Sequence, residues 1–283
     1  MGVVFGIHGT THSPRMHSQI IKTFAARDFA SIFPYLPCHG PKNIRTSVNS
    51  SDFVNLSQEV LFAMAYNVLL PELRKGGRLN SIKKIIWYGH SLGSDFTLWL
   101  LNSIDLEKFP RHISHNSILL APPFKAPVPI WQQIILRLSY KFNWLSNLVV
   151  TQTPGHTLLG LAPPPHEDDI INPSIGLWAE ILRFIEKVGG DPDNYARLAI
   201  QNIKTIIFVG EVDFTILPNS TKVTVRKAQE LMFRSELASK NLKIIILDQA
   251  THYFWLGDQS SLLNSAIFEY IDNFLGLKSK ETF

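Results

Sequence analysis

Short apolar runs recur along the chain, separated by longer stretches with helical spacing. Residues 3–7, 31–35, 82–88, 117–121, 205–209 and 242–247 are each largely apolar. Runs this short, without polar alternation, predict strands buried on both faces, as in parallel sheets. Residues 54–73 place Val60, Leu61, Met64 and Val68 at helical intervals and stop at Gly76-Gly77. Leu263, Ile267, Phe268, Ile271, Phe274 and Leu275 share one stripe of a final helix that ends near Gly276. Alternation of this kind predicts an α/β fold, a mainly parallel sheet with helices on both faces.

The rhythm breaks between residues 122 and 190, where no strand is convincing. Pro122-Pro123, Pro127, Pro129 and Pro163-Pro164-Pro165 punctuate this stretch. Ile130, Trp131, Ile134, Ile135, Leu138, Phe142 and Leu145 form one apolar stripe, with Arg137 and Lys141 off it. Asn172 and Pro173 read as the N-cap and first position of a second helix, running to Val188 and ended by Gly189-Gly190. The expected organisation is a core of residues 1–121 and 191–283, with residues 122–190 as a helical cap inserted over one end of the sheet. The first stripe has two readings. It packs the cap on its own domain, or it offers an apolar wall to an acyl chain or a lipid surface, with Arg137 and Lys141 at the headgroups.

Composition narrows the classes. The chain has 283 residues, 45% of them hydrophobic, which suits a globular domain able to bury a sizeable core without staples. Cys38 is the only cysteine, so no internal disulfide is expected. The N-terminus lacks a signal-peptide pattern, and no stretch reaches about 18 uninterrupted apolar residues. A cytoplasmic protein is expected, with peripheral membrane contact through the cap as a further option. A net charge of +4 without a basic block argues against nucleic acid as a partner. Oligomeric state leaves no mark.

The candidate chemistry centres on Gly89-His90-Ser91-Leu92-Gly93, which stands between the run 82–88 and a helical pattern after Asp95. A serine on a strand–turn–helix junction projects its hydroxyl from the top of the sheet, and small flanking residues let the chain turn sharply. Serine is a weak nucleophile and needs a base, which in turn needs an orienting carboxylate. Gly210-Glu211-Val212-Asp213 follows one later strand run, and Asp248-Gln249-Ala250-Thr251-His252 follows the next. Serine, acid and histidine thus come in order, each just past a strand.

With His8-Gly9-Thr10-Thr11 and Pro37-Cys38-His39-Gly40-Pro41 added, the chain resembles the α/β-hydrolase superfamily, in style its monoacylglycerol-lipase and carboxylesterase branches. The resemblance covers nearly the whole chain. It implies Ser91 as nucleophile, His252 as base and Asp213 as the acid, with Glu211 as local competitor. It implies an oxyanion hole from the backbone N–H groups of Leu92 and Thr10, with His8 ordering that loop. It implies no cofactor and no metal, and an ester or lipid small-molecule substrate with an apolar acyl group. A thioesterase or small-peptide hydrolase would use the same triad, and a non-catalytic hydrolase-like binding protein is the reading from another class. The family's usual two first strands, one antiparallel, are absent, so a shortened, all-parallel sheet of about six strands is expected. His12 and Ala250-Thr251 replace glycines common in the family, and Ser94 replaces a frequent second glycine.

The remaining histidines receive plain readings. His12 has two readings, lining the pocket or, preferred, lying on a surface loop, and His90 flanks the nucleophile. His112 and His115 precede a strand without a third ligand, so no metal site is expected there. The His166-Glu167-Asp168-Asp169 cluster reads as a solvated loop, and His156 has no evident partner.

Overall fold

In a computed structural model of the protein, the six apolar runs form one six-stranded sheet. The structure describes residues 1–10, 12–41, 52–124, 130–139, 141–148, 174–211, 213, 218–233, 238–253 and 260–277. The strands are β1 (Gly2–Ile7), β2 (Phe29–Ile32), β3 (Lys84–His90), β4 (Ser114–Leu120), β5 (Lys204–Gly210) and β6 (Leu242–Leu247). Their spatial order is β2-β1-β3-β4-β5-β6, and every neighbouring pair is parallel. The chain reverses its direction of travel across the sheet between β1 and β3. Ligands of open parallel sheets bind outside the carboxyl ends of the strands at such a switch point.

Burial explains the strand sequences. All of β1 is buried, as is β3 beyond Lys84 and β5 beyond Lys204. These central strands need apolar residues on both faces because helices cover both. The edge strands β2 and β6 are only partly buried. The second run is accordingly shorter and earlier than its expected 31–35, because pairing with β1 ends at Ile32 and the chain leaves the sheet towards Pro34.

The helices are α1 (Ser18–Ala25), α2 (Phe53–Leu73), α3 (Leu92–Ser103), α4 (Ile130–Ser139), α5 (Asn143–Ser146), α6 (Ile175–Val188), α7 (Pro192–Ile200), α8 (Pro218–Phe233), α9 (Ala238–Asn241) and α10 (Ser260–Leu275). On one side α1 meets α10, where Phe24 packs edge-on to Phe268 and Arg27 bonds Asp272. Elsewhere α2, α6 and α7 pack on α3, and α8 packs on α7. Among the described residues, α2 alone would qualify as a membrane span by length and mean hydropathy, but Phe53, Val54, Leu61, Ala65, Leu69, Leu70 and Leu73 are buried in the core. Its middle, Met64–Leu69, is π-helical.

Two expectations for the stretch 122–190 change. The single stripe 130–145 is two helices, α4 and α5, separated near residues 140–142. The second helix starts later than expected, with Ser174 as N-cap: its hydroxyl accepts from the Leu177 N–H at 3.2 Å, so it competes well for that role. The end at Gly189-Gly190 is as expected. Asn172, Pro173, His156 and the 166–169 cluster lie outside the described residues. In space α6 packs on α2 and α3, while α4 and α5 pack on α6.

One core residue runs against its surroundings. Asp95, in the first turn of α3, is completely buried, and neither carboxyl oxygen has a hydrogen-bond partner among the described residues. A helix N-terminus favours an anion by about 0.3–1 kcal/mol. Burying an unpaired carboxylate costs several times more, and burial pushes Asp95 well above the usual carboxylate range. The acid therefore stays neutral when folded and ionises when unfolded, so its contribution to stability declines as pH rises above about 4. Asp95→Asn removes that slope, which reaches at most about 1.4 kcal/mol per pH unit. Urea unfolding at pH 5 and pH 8 checks it: the variant should gain stability relative to the parent at pH 8. An equal difference at both pH values would contradict a neutral Asp95.

Candidate active site

The turn after β3 is forced into its shape by contacts on both sides. Ser91 has φ 53° and ψ −130°, a left-handed conformation that a non-glycine residue adopts only under constraint. Its N–H donates to the Leu120 carbonyl at 2.8 Å, and its own carbonyl accepts from the Ser94 N–H at 2.8 Å. Gly93 is required by close approach: a Cβ there would collide with the carbonyl oxygens of Ile7 and His8 at the end of β1. A Cβ on Gly89 would likewise strike the backbone of Gly93 and Ser94. Ser94, at the place of a frequent glycine, is accommodated because its hydroxyl donates to the Leu120 carbonyl at 3.0 Å. Ser91 is half-buried, and Leu92 begins α3 directly after it.

The loop after β1 lies against this turn. A Cβ on Gly9 would sit 3.0 Å from Ser91 Cβ, so Gly9-Thr10 borders Ser91. His8 is buried and orders the loop. Its Nε2 accepts from the Leu36 N–H at 3.1 Å, so the proton is on Nδ1, which donates to the Gly9 carbonyl at 2.9 Å. Burial first, and the neighbouring His39 second, hold His8 well below the ordinary histidine range. His39 reaches over from the loop after β2 and places Nε2 2.6 Å from the Thr10 carbonyl.

The later loops complete the cluster. His252 Nδ1 lies 2.7 Å from Asp213 Oδ2, and both side chains are essentially sealed from solvent. Glu211 points elsewhere: it is exposed, and its Oε2 accepts from the Gln249 N–H at 3.2 Å. Of the two candidate acids, only Asp213 meets the histidine. His252 packs 5.0 Å from the His90 ring, centroid to centroid, which puts it beside the Ser91 turn. Thr11, part of the sequence motif after β1, lies outside the described residues.

Two features escaped the sequence reading. His12 is not on a surface loop but buried, edge-on to Tyr253 at 4.8 Å and to His90 at 5.6 Å. The chain after β1 turns inward there, because aromatic neighbours from two distant loops offer it more contact than water does. His17, not singled out at all, is fully buried beneath His90 and bonds the Tyr88 hydroxyl at 3.0 Å. His115 is likewise engaged: its Nδ1 accepts from Trp87 Nε1–H at 3.1 Å.

Burial disfavours the charged forms of His17, His115 and His90. Burial pushes His17 down to about 3 and His115 to about 4. Burial first, then the nearby His252, His17 and His12, holds His90 well below its ordinary value. A histidine whose folded pKa is lowered supports the fold above its unfolded value of about 6.5 and withdraws that support as pH falls below it. Acid should therefore destabilise the protein between about pH 6.5 and 3. His17→Asn should flatten the decline by up to about 1.4 kcal/mol per pH unit, read from urea midpoints at stepped pH. An unchanged slope would mean that His17 is protonated in the fold.

No family model and no curated protein sequence matches the chain. Solved structures do. A soluble variant of monoglyceride lipase from Saccharomyces cerevisiae, in complex with a substrate analogue, superposes with a TM-score of 0.66 at 13% identity, covering 97% of this chain and 87% of that one. A monoacylglycerol lipase from Paleococcus ferrophilus gives 0.62 at 16% identity over 96% and 94%. The chain has the α/β-hydrolase fold. A thermophilic esterase from Thermogutta terrifontis is a further neighbour, with a TM-score of 0.58 at 16% identity over 97% and 90%. Among the described residues the sheet has six strands, all parallel, as expected from the sequence.

Proposed function

We propose that this protein is a serine hydrolase that cleaves carboxylic esters with an apolar acyl group. The observation that carries the reading is the sealed contact of His252 Nδ1 with Asp213 Oδ2 at 2.7 Å, next to the constrained Ser91 turn. A carboxylate partner keeps the proton on Nδ1, which leaves Nε2 as the base. Ser91 Oγ gives its proton to His252 Nε2 as it bonds the acyl carbon. The carbonyl oxygen becomes an oxyanion, for which the N–H groups of Leu92 and Thr10 are the donors in this reading. The carbon–oxygen bond to the alcohol then breaks, and His252 returns the proton to the leaving alkoxide. Water, deprotonated by the same nitrogen, attacks the acyl-serine and releases the acid. Asp213 stays ionised and balances the imidazolium. No step calls for a metal or cofactor.

The ester preference rests on the lipase and esterase neighbours and on the chemistry of the stretch 122–190, which we read as a cap over the site. The fluorophosphonate reaction tests the mechanism: the protein should label at Ser91, and Ser91→Ala should lose labelling. On p-nitrophenyl butyrate, Ser91→Ala and His252→Ala should each lose at least about 10³-fold in kcat. Full esterase activity in Ser91→Ala would refute the reading. Parallel rates on a thioester and an aminoacyl amide assign the substrate class.

The same cap supports a peripheral contact with lipid, from a cytoplasmic location. Ile134, Leu138, Phe142, Trp144 and Leu148 are exposed, Trp144 by 67%, and Arg137 and Lys141 are exposed among them. Apolar side chains beside cations suit the boundary between acyl chains and anionic headgroups. Replacing both Leu138 and Trp144 by Asp should weaken co-sedimentation with phosphatidylcholine–phosphatidylserine vesicles by about tenfold or more. Equal sedimentation of parent and variant would remove the lipid contact and leave the esterase reading in place.

A further inference from the structure

The loop that borders Ser91 is gripped at two successive peptide groups by two histidines from different strands' ends. In a planar trans peptide the C=O and N–H point in opposite directions. The Gly9 carbonyl and the Thr10 N–H belong to one such unit. His8 Nδ1–H holds that carbonyl, which turns the Thr10 N–H away from His8. The next unit begins with the Thr10 carbonyl, and His39 Nε2 lies 2.6 Å from it.

The other His39 nitrogen, Nδ1, lies 3.0 Å from the Pro37 carbonyl. Both neighbours are carbonyl oxygens, which only accept. A neutral imidazole has a single N–H and would press a bare lone pair against one of them. A ring with both protons satisfies both. The 2.6 Å separation is also shorter than a neutral N–H···O bond usually is and suits a charge-assisted one. Turning the ring over would bring carbon to where nitrogen now meets oxygen. The ring is 3% exposed, so water does not take over either contact.

The surroundings permit the charge. His8, edge-on at 4.5 Å, is fixed as neutral by the Leu36 N–H on its Nε2. Phe53 of α2 faces the ring at 6.2 Å and does not titrate. At the start of α2 the Val54 N–H donates to Glu180 of α6 at 3.2 Å, with the Asp52 carboxyl nearby. Burial raises Glu180 to about 7. On its own loop His39 has the half-buried Cys38 thiol beside it.

We propose that His39 is a positioning residue that works in its doubly protonated form, its two N–H groups tying the Thr10 carbonyl to the Pro37 carbonyl so that the Thr10 N–H stays aimed at the reacting carbonyl oxygen. The inference rests on the reading of Ser91 as nucleophile and Thr10 as oxyanion donor. Loss of one proton turns one tie into a repulsion and loosens the loop. The oxyanion exists only beyond the ground state, so the effect falls on kcat and spares KM. His252 requires the neutral form and His39 the charged one, so activity runs between two limbs, the alkaline one belonging to His39.

The test is the pH dependence of p-nitrophenyl butyrate hydrolysis by the full chain and by His39→Gln, with nitrogen NMR of the histidine rings in the parent. The parent should show a bell in kcat, falling about tenfold or more on the alkaline side with KM steady. Both His39 nitrogens should carry protons at neutral pH. His39→Gln keeps one donor and does not titrate. It should lose about tenfold in kcat at neutral pH, as befits a disturbed oxyanion donor, and lack the alkaline limb. An identical alkaline limb in the variant, or a bare His39 nitrogen at neutral pH, overturns the proposal. Should His39→Gln not fold, the NMR of the parent decides alone. Absence of Ser91 labelling in the parent would instead sink the serine-hydrolase reading, and the nitrogen spectra would still report on His39.

Discussion

The structure depends on one close backbone approach, that of Gly93 to the carbonyls of Ile7 and His8. No side chain fits in that gap. It brings the start of α3 against the end of β1, and it does so only because β1 and β3 are parallel neighbours whose carboxyl ends point the same way. The proposed chemistry is built on that seam. The left-handed Ser91, the first amides of α3 and the Gly9-Thr10 loop all face one spot because the two strand ends cannot separate.

Around the seam lies a buried layer of imidazoles. His90 touches His12, His17 and His252, and His8 touches His39. Histidine suits this place because its ring packs like an aromatic and still offers a directed donor and acceptor. Burial disfavours the charged forms of His8, His17 and His90, so these rings hold loops together as neutral groups. Asp95, a few residues on, follows the same rule from the acidic side. In both cases burial disfavours the charged form of the side chain.

The stretch 122–190 is organised differently. Its α6 packs on α2 and α3 and belongs to the core, whereas α4 and α5 lean on α6 and leave large apolar side chains in the open. Core burial explains the sequence of α6, with Leu177, Ile181, Phe184, Ile185 and Val188 inside. It does not explain Trp144 or Phe142, which is why the substrate and the lipid surface enter the account there.

The sequence by itself determined the parallel sheet, the order of its strands' functional loops and the Ser91 turn. These rest on local signals: apolar runs too short for helices, and glycines at fixed spacing around one serine. Helix starts were less legible, as with Ser174 against Asn172, since several capping residues stood side by side and only packing chose between them. Three decisions were left to the tertiary structure. Asp213, not Glu211, meets His252, because a difference of two residues in a loop changes which way a carboxylate faces. His12 turned out to be buried, because its neighbours Tyr253 and His90 come from distant parts of the chain. His39 grips Thr10 across 29 residues of sequence, a contact that β2 and β1 create only by pairing. Local pattern sets which element forms and which residues its loop carries, while the side-chain partners of a loop are set by whatever other loops the folded sheet brings to the same edge.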